Sequence, residues 1–210
     1  MIQNFFDKVR YKRRQSVRNS ISETARRYLD QEKFSSLLKE VDGVSNSTGV
    51  SSTDYAAIFA FVKKYKPQTI LECGTGKSTW IISLAMQELA SADANYTPKL
   101  ISMEHNEKWH AEAVKNFPAE RFPFVEINYS PVDVFACGFV RGTVYETVPD
   151  YHYDFVYVDG PGQGIDGIRA ANMDFVRVVT TSDKPVRALV DNRKATVWAY
   201  SAVFGSKKVR

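Results

Sequence analysis

Soft metal ligands and cross-links are scarce in this 210-residue chain. Cys73 and Cys137 are its only cysteines. They lie far apart and in no metal-ligand spacing, so two reduced thiols in a cytoplasmic protein is the simplest expectation. Three histidines, His105, His110 and His152, are too few for a His-rich metal site. No apolar run approaches the roughly 20 residues needed to cross a bilayer. The opening stretch "MIQNFFDKVRYKRR" lacks the apolar centre and small-residue cleavage site of a secretory leader. What remains is 44% hydrophobic and 25% charged, the balance of a soluble globular protein with room for one α/β domain and extra helices.

Charge is unevenly spread. Residues 1–66 carry 13 Lys/Arg against 7 Asp/Glu, and the rest carries 15 against 17. The excess is densest in "KVRYKRRQSVR", residues 8–18. Such a run is either an arm for an anionic surface, nucleic acid or lipid headgroups, or a solvated helix or frayed terminus. Tyr11 is its one aromatic residue, too few for a base-stacking platform.

The chain divides at the polar stretch 43–53, "GVSNSTGVSST". Residues 1–50 form a helical, basic extension and 51–210 an α/β domain. A helix is expected over 20–42, with Ser20 and Glu23 at capping-box spacing and Gly43 as its stop. Another follows in "TDYAAIFAFVKKYKP", capped by Thr53 or Asp54 and ended before Pro67. Strands are predicted at 69–73, 99–105, 122–129, 153–160 and 186–192. Helices are predicted at 77–92, 107–117, 167–179 and 194–205. Between 131 and 150 the pattern changes to two short strands around Arg141-Gly142. Strands separated by crossover helices imply a Rossmann-like, doubly wound, mainly parallel sheet with N-terminal helices.

The decisive stretch is "ILECGTGKST", residues 70–79. A phosphate loop would need Gly where Leu71 stands, so that reading fails. A dinucleotide turn needs Gly-x-Gly-x-x-Gly; Gly74 and Gly76 supply two glycines and Thr79 stands at the third position. Glu72-x-Gly74-x-Gly76 at the end of a first strand resembles the first motif of class I S-adenosylmethionine-dependent methyltransferases. Ser78 stands where that family usually has its third glycine. Two further motifs follow in order. "LISMEH" ends on Glu104, an acid at the end of a second strand, where a carboxylate accepts ribose hydroxyls. "YDFVYVDGPG" resembles the family's fourth motif and ends on Asp159.

The resemblance implies that Glu72, Gly74, Thr75, Gly76, Ser78, Glu104 and Asp159 hold S-adenosylmethionine. Glu72 would lie near the methionine part, and Asp159 would also be catalytic. Each acid has a plainer alternative: Glu104 as a solvated strand end, Asp159 as a turn cap. His105 either flanks the adenine or is a surface residue, and Trp80 is expected in the core.

"ALVDNR" adds Asp191 and Asn192 at the end of a fifth strand. With Asp159 they resemble the metal ligands of the cation-dependent O-methyltransferases, such as the catechol and caffeoyl-CoA enzymes. That implies Mg²⁺ on Asp159, Asp191 and Asn192, a hard-oxygen set. The stretch after Asp159 has no Lys where those relatives carry one. Asp191 or Asn192 would otherwise start the helix at 194, and Arg193 would engage Asp191 or an acidic substrate. Only 18 residues follow Asn192, room for a helix and one short strand, "SKKVR", where the family's sheet adds an antiparallel hairpin, so either the sheet is minimal or the sequence is a truncated form. The expected function is methyl transfer to an oxygen of a small molecule or glycan. Its rivals are a nicotinamide-dependent oxidoreductase or epimerase and a non-catalytic binding module of the same fold.

Overall fold

The computed structural model describes residues 23, 27, 28, 31–44, 51–161, 170–191 and 193–209. The basic run 8–18, the Ser20 cap, Gly162, Gly164 and Asn192 lie outside the described residues.

Five strands form the central sheet: β1 Thr69–Cys73, β2 Lys99–Glu104, β3 Val125–Tyr129, β6 Phe155–Val158 and β8 Arg187–Val190. They are all parallel, in the order β3-β2-β1-β6-β8. The inner strands are short apolar runs buried on both faces, as a covered parallel sheet requires. Successive strands step outward from β1 to β3, then return to the other side of β1 with β6. The order therefore reverses between β1 and β6, and a crevice opens at their carboxyl ends.

One face is covered by α1 Glu32–Val44, α2 Ser52–Tyr65, α3 Lys77–Ala92 and α4 Glu107–Asn116. Phe34, Leu37 and Val41 of α1 enter the same core as Ile58 and Phe59 of α2 and Ile81 of α3. Phe34 and Phe59 meet edge to face at 5.4 Å. Truncating Phe59, which is 1% exposed, would cost about 3–5 kcal/mol. Gly43 does not stop α1, which runs on to Val44. Ser51, one turn earlier than expected, caps α2, and its backbone and hydroxyl pair reciprocally with Asp54.

The other face carries a second sheet. β4 Val132–Cys137 and β5 Val140–Tyr145 form an antiparallel hairpin, and β7 Ala171–Asn172 pairs parallel to β5. The hairpin turns at Gly138, where φ is +60°, and not at Arg141-Gly142. Gly142 serves the β7 pairing instead: a Cβ there would lie 2.2 Å from the carbonyl of Ala171. The helix predicted at 167–179 is shorter, α5 Asp174–Thr181, because Ala171–Asn172 is taken by β7. The last helix, α6 Lys194–Phe204, ends before a turn; residues 206–209 are not a strand, so no C-terminal hairpin follows β8 among the described residues.

Candidate functional site

The crevice holds a cavity of about 370 Å³. Its walls come from the ends of four parallel strands: the Gly74–Gly76 turn after β1, Glu104 and His105 after β2, Asp159 and Gly160 after β6, and Arg193 after β8. Trp109 and Ala113 of α4 close one side, Tyr55 of α2 and Lys77 of α3 another. Trp80 is 5% exposed and packs edge to face on Phe117 at 5.6 Å, so it forms cavity wall from within the core.

The β1 turn is fixed by two devices. Gly74 adopts φ +100°, and a Cβ on it would lie 2.8 Å from the amide nitrogen of Gly160. A Cβ on Gly160 would in turn lie 2.6 Å from Gly74 Cα. The two backbones touch, so both residues must lack side chains. The second device is Glu72. It is fully buried and does not line the cavity. Three hydroxyls, those of Ser78, Thr79 and Ser102, each donate to its carboxylate at 2.6 Å. Ser102 is its register partner on β2. With its proton committed to Glu72, Ser102 accepts from the Thr75 hydroxyl at 2.8 Å, and Thr79 accepts from the Gly76 amide at 3.1 Å. One carboxylate thus holds the turn and the first turn of α3. Burial pushes its pKa up to about 7, and the three hydroxyls oppose that rise.

The N-terminus of α3 has no side-chain cap from Gly76 and no acid in its first turn. Ser78 and Lys77 border the cavity there, and Lys77 pairs with Asp42 of α1 at 2.7 Å. An open helix N-terminus of this kind suits an anionic group.

Glu104 is 6% exposed. Its Oε1 accepts from the backbone of His105 and Asn106, both at 2.8 Å. His105 Nδ1 lies 3.0 Å from the same oxygen without hydrogen-bond geometry. Oε2 has no hydrogen-bond partner among the described residues, while Glu104 lines the cavity. One oxygen anchors the strand end.

Across the cavity Asp159 and Asp191 come together, as the β6–β8 pairing dictates. Arg193 lies beside both of them. Its guanidinium lies 3.5 Å from Asp159 Oδ1 and 3.7 Å from Asp191 Oδ2, and donates to the carbonyls of Pro161, at 2.6 Å, and Asp159. Burial, then the neighbouring Asp191, push Asp159 up to about 6, and Arg193 opposes them. Arg193 is the N-cap residue of α6 and makes no side-chain cap. Among the described residues no group of three or more His, Cys, Asp or Glu is placed to hold a metal ion. Among the described residues the donor set is two carboxylates already paired with a guanidinium.

Sequence reasoning missed the support beneath this rim. Asn172 donates to the carbonyl of Gly160 at 2.9 Å and to Asp174 at 2.8 Å. Asp174, wholly buried, also accepts from Arg177 at 2.7 Å and from the Tyr145 amide at 3.1 Å. Burial still pushes Asp174 up to about 6. The apolar–polar alternation Ala171-Asn172-Met173-Asp174 was the available signal of a strand period.

Comparison with known proteins gives similarity of structure without similarity of sequence. No protein-family model matches the chain, and no curated protein matches it in sequence. Among solved structures, a methyltransferase from Podospora anserina with bound SAH aligns at 13% identity and TM-score 0.40, over 59% of this chain. This chain spans about half of that one, 49%. The O-methyltransferase from Bacillus cereus in complex with SAH aligns at 17% identity and TM-score 0.48, over 85% of this chain and 76% of its own. TomG of Streptomyces achromogenes, an O-methyltransferase involved in tomaymycin synthesis and bound to SAM, aligns at 16% and 0.47, over 83% and 77%. The likeness is one of fold. The activities belong to those proteins.

Proposed function

We propose that the chain is an S-adenosylmethionine-dependent methyltransferase whose acceptor is an oxygen of a small molecule or glycan. One observation carries this reading: the cavity at the β1–β6 reversal presents, side by side, a glycine turn, an uncapped helix N-terminus and the unused Oε2 of Glu104. A carboxylate-bearing nucleoside ligand needs those three features together. The cavity also falls within the roughly 300–1,000 Å³ usual for small-ligand sites.

In this reading Glu104 Oε2 accepts from ribose hydroxyls, and the amides at the start of α3 receive the ligand's carboxylate. Thr75, Gly76 and Ser78 border the same wall, and Gly74 and Gly160 hold the floor shut. Glu72 acts from behind the turn, through Ser78, Thr79 and Ser102, and not by touching the ligand. When bound, the cofactor supplies an electrophilic methyl carbon on a sulfonium. Asp159 is ionised at neutral pH yet closer to neutrality than a solvated Asp, as suits a group that takes the proton from an acceptor hydroxyl. Trp109 and Tyr55 line the cavity, and fixed positions supply much of the rate.

Calorimetric titration with S-adenosylhomocysteine tests the reading directly. Micromolar binding, abolished in a folded Gly76→Arg variant whose side chain fills the approach, is the expected result. A folded wild type that takes up no S-adenosylhomocysteine would overturn it.

A further inference from the structure

Two acids at adjacent strand ends would ordinarily invite a divalent ion. Asp159 and Asp191 are such a pair, yet a guanidinium already pairs with both. Arg193 lies 3.5 Å from one carboxylate and 3.7 Å from the other. It is not a loose surface cation. Its side chain is 21% exposed, and it donates to two main-chain carbonyls of the β6 exit, Asp159 and Pro161. Those bonds fix a planar fork in place, which a flexible Lys would not achieve. The same contacts tie the residue after β8 to the residues after β6, so the cation is held by backbone as well as by charge.

We propose that Arg193 is a built-in cation paired with both Asp159 and Asp191 in place of a divalent ion, so that the acceptor side of this site operates without a metal. The proposal rests on the reading of the cavity as a methyl-transfer site only for the word acceptor; the pairing claim stands on the coordinates of three side chains. A hard ion would need carboxylate oxygens at about 2.0–2.6 Å. It would also have to enter beside a fixed positive charge, which opposes it. The guanidinium carries one charge where an ion carries two, and it cannot dissociate into a chelator. It orients the two carboxylates and leaves Asp159 able to accept a proton.

The test uses the full chain and Mn²⁺ alone, following the paramagnetic signal of the free ion. Wild type is expected to leave that signal unchanged up to millimolar Mn²⁺. Arg193→Gln and Arg193→Ala, checked for folding by circular dichroism, are expected to capture one ion per chain and to lose it again when Asp159→Asn is added. Stoichiometric uptake by wild type, lost in Asp159→Asn, would overturn the proposal. So would folded Arg193 variants that capture nothing, because the acids would then not be a latent cation pair. If both variants fail to fold, the wild-type melting temperature decides. Equal values in Mg²⁺ and in chelator are expected, and a rise specific to Mg²⁺ and absent in Asp159→Asn overturns the idea. S-adenosylhomocysteine plays no part in these measurements, so its failure to bind would sink the proposed function and leave this result readable.

Discussion

The two rims of the cavity solve one problem, a carboxylate withdrawn from water, in opposite ways. On the β1–β2 rim Glu72 is sealed off and satisfied by three neutral hydroxyls. On the β6–β8 rim Asp159 and Asp191 stay partly open and are satisfied by a guanidinium. Hydroxyl donors hold position without setting a field, which suits a turn whose duty is shape. A guanidinium sets both position and field, which suits an edge where charge changes during a reaction. In the proposed reading the first rim is a support and the second the working edge.

Breaking the joint between the rims should cost most. Gly74→Val places a branched side chain against the Gly160 backbone at a positive φ, and neither main chain can yield. A loss of about 4 kcal/mol in denaturant unfolding is expected, with S-adenosylhomocysteine binding gone. A loss under about 1 kcal/mol would mean that the turn and the β6 exit are not locked together.

Next comes the support alone. Glu72→Ala strands three buried hydroxyls and should destabilise by about 2–3 kcal/mol. The pH dependence sharpens the point. Glu72 binds its proton more tightly in the folded state, about 7 against 4.5 unfolded, so its contribution is fully present below about 4.5 and is lost as pH rises through about 7. Asp159 and Asp174, raised to about 6, act with the same sign at lower pH. The melting temperature should therefore be higher at pH 6 than at pH 8, and Glu72→Gln should flatten that difference. A wild type that gains stability from pH 6 to pH 8 would contradict this sealed carboxylate.

The smallest effect on stability belongs to Glu104→Ala. It removes an acceptor for two backbone amides at a nearly buried strand end, a cost of about 1 kcal/mol. Its effect on S-adenosylhomocysteine should be larger, about tenfold or more in Kd by calorimetry, since a charged oxygen facing ribose hydroxyls is worth about 1.5–3 kcal/mol. Unchanged affinity would remove Glu104 from the ligand's reach.

Much of the first rim was legible in the residues. The apolar runs before Cys73 and Glu104 and the helical spacing from Lys77 to Ala92 appear in the structure at nearly the predicted bounds. The role of Glu72 was not legible. Its partners Ser78 and Thr79 follow it in sequence, but Ser102 joins them only through the register of β1 on β2. On the second rim the adjacency of the Asp159 and Asp191 strand ends and the engagement of Asp191 by Arg193 were legible; the reach of Arg193 to Asp159 was not. Arg193 reaches Asp159 across a strand pairing, and no spacing rule encodes which cation pairs with two acids. The shortened α5 failed for a simpler reason: pairing with β5 overrode a helical pattern of moderate strength around Ala171–Asn172.

The touching backbones of Gly74 and Gly160 have a consequence for how such a protein can be recombined. The segment carrying β1 and its turn is not an exchangeable cassette. Replacing it with the corresponding stretch of a distant relative would present foreign side chains or a foreign turn to Gly160, and the graft would fail at one atom. Residues 69–79 and 155–161 must travel together, although 75 residues separate them. At this site the heritable part is a pair of segments, and drift in either one is policed by the other.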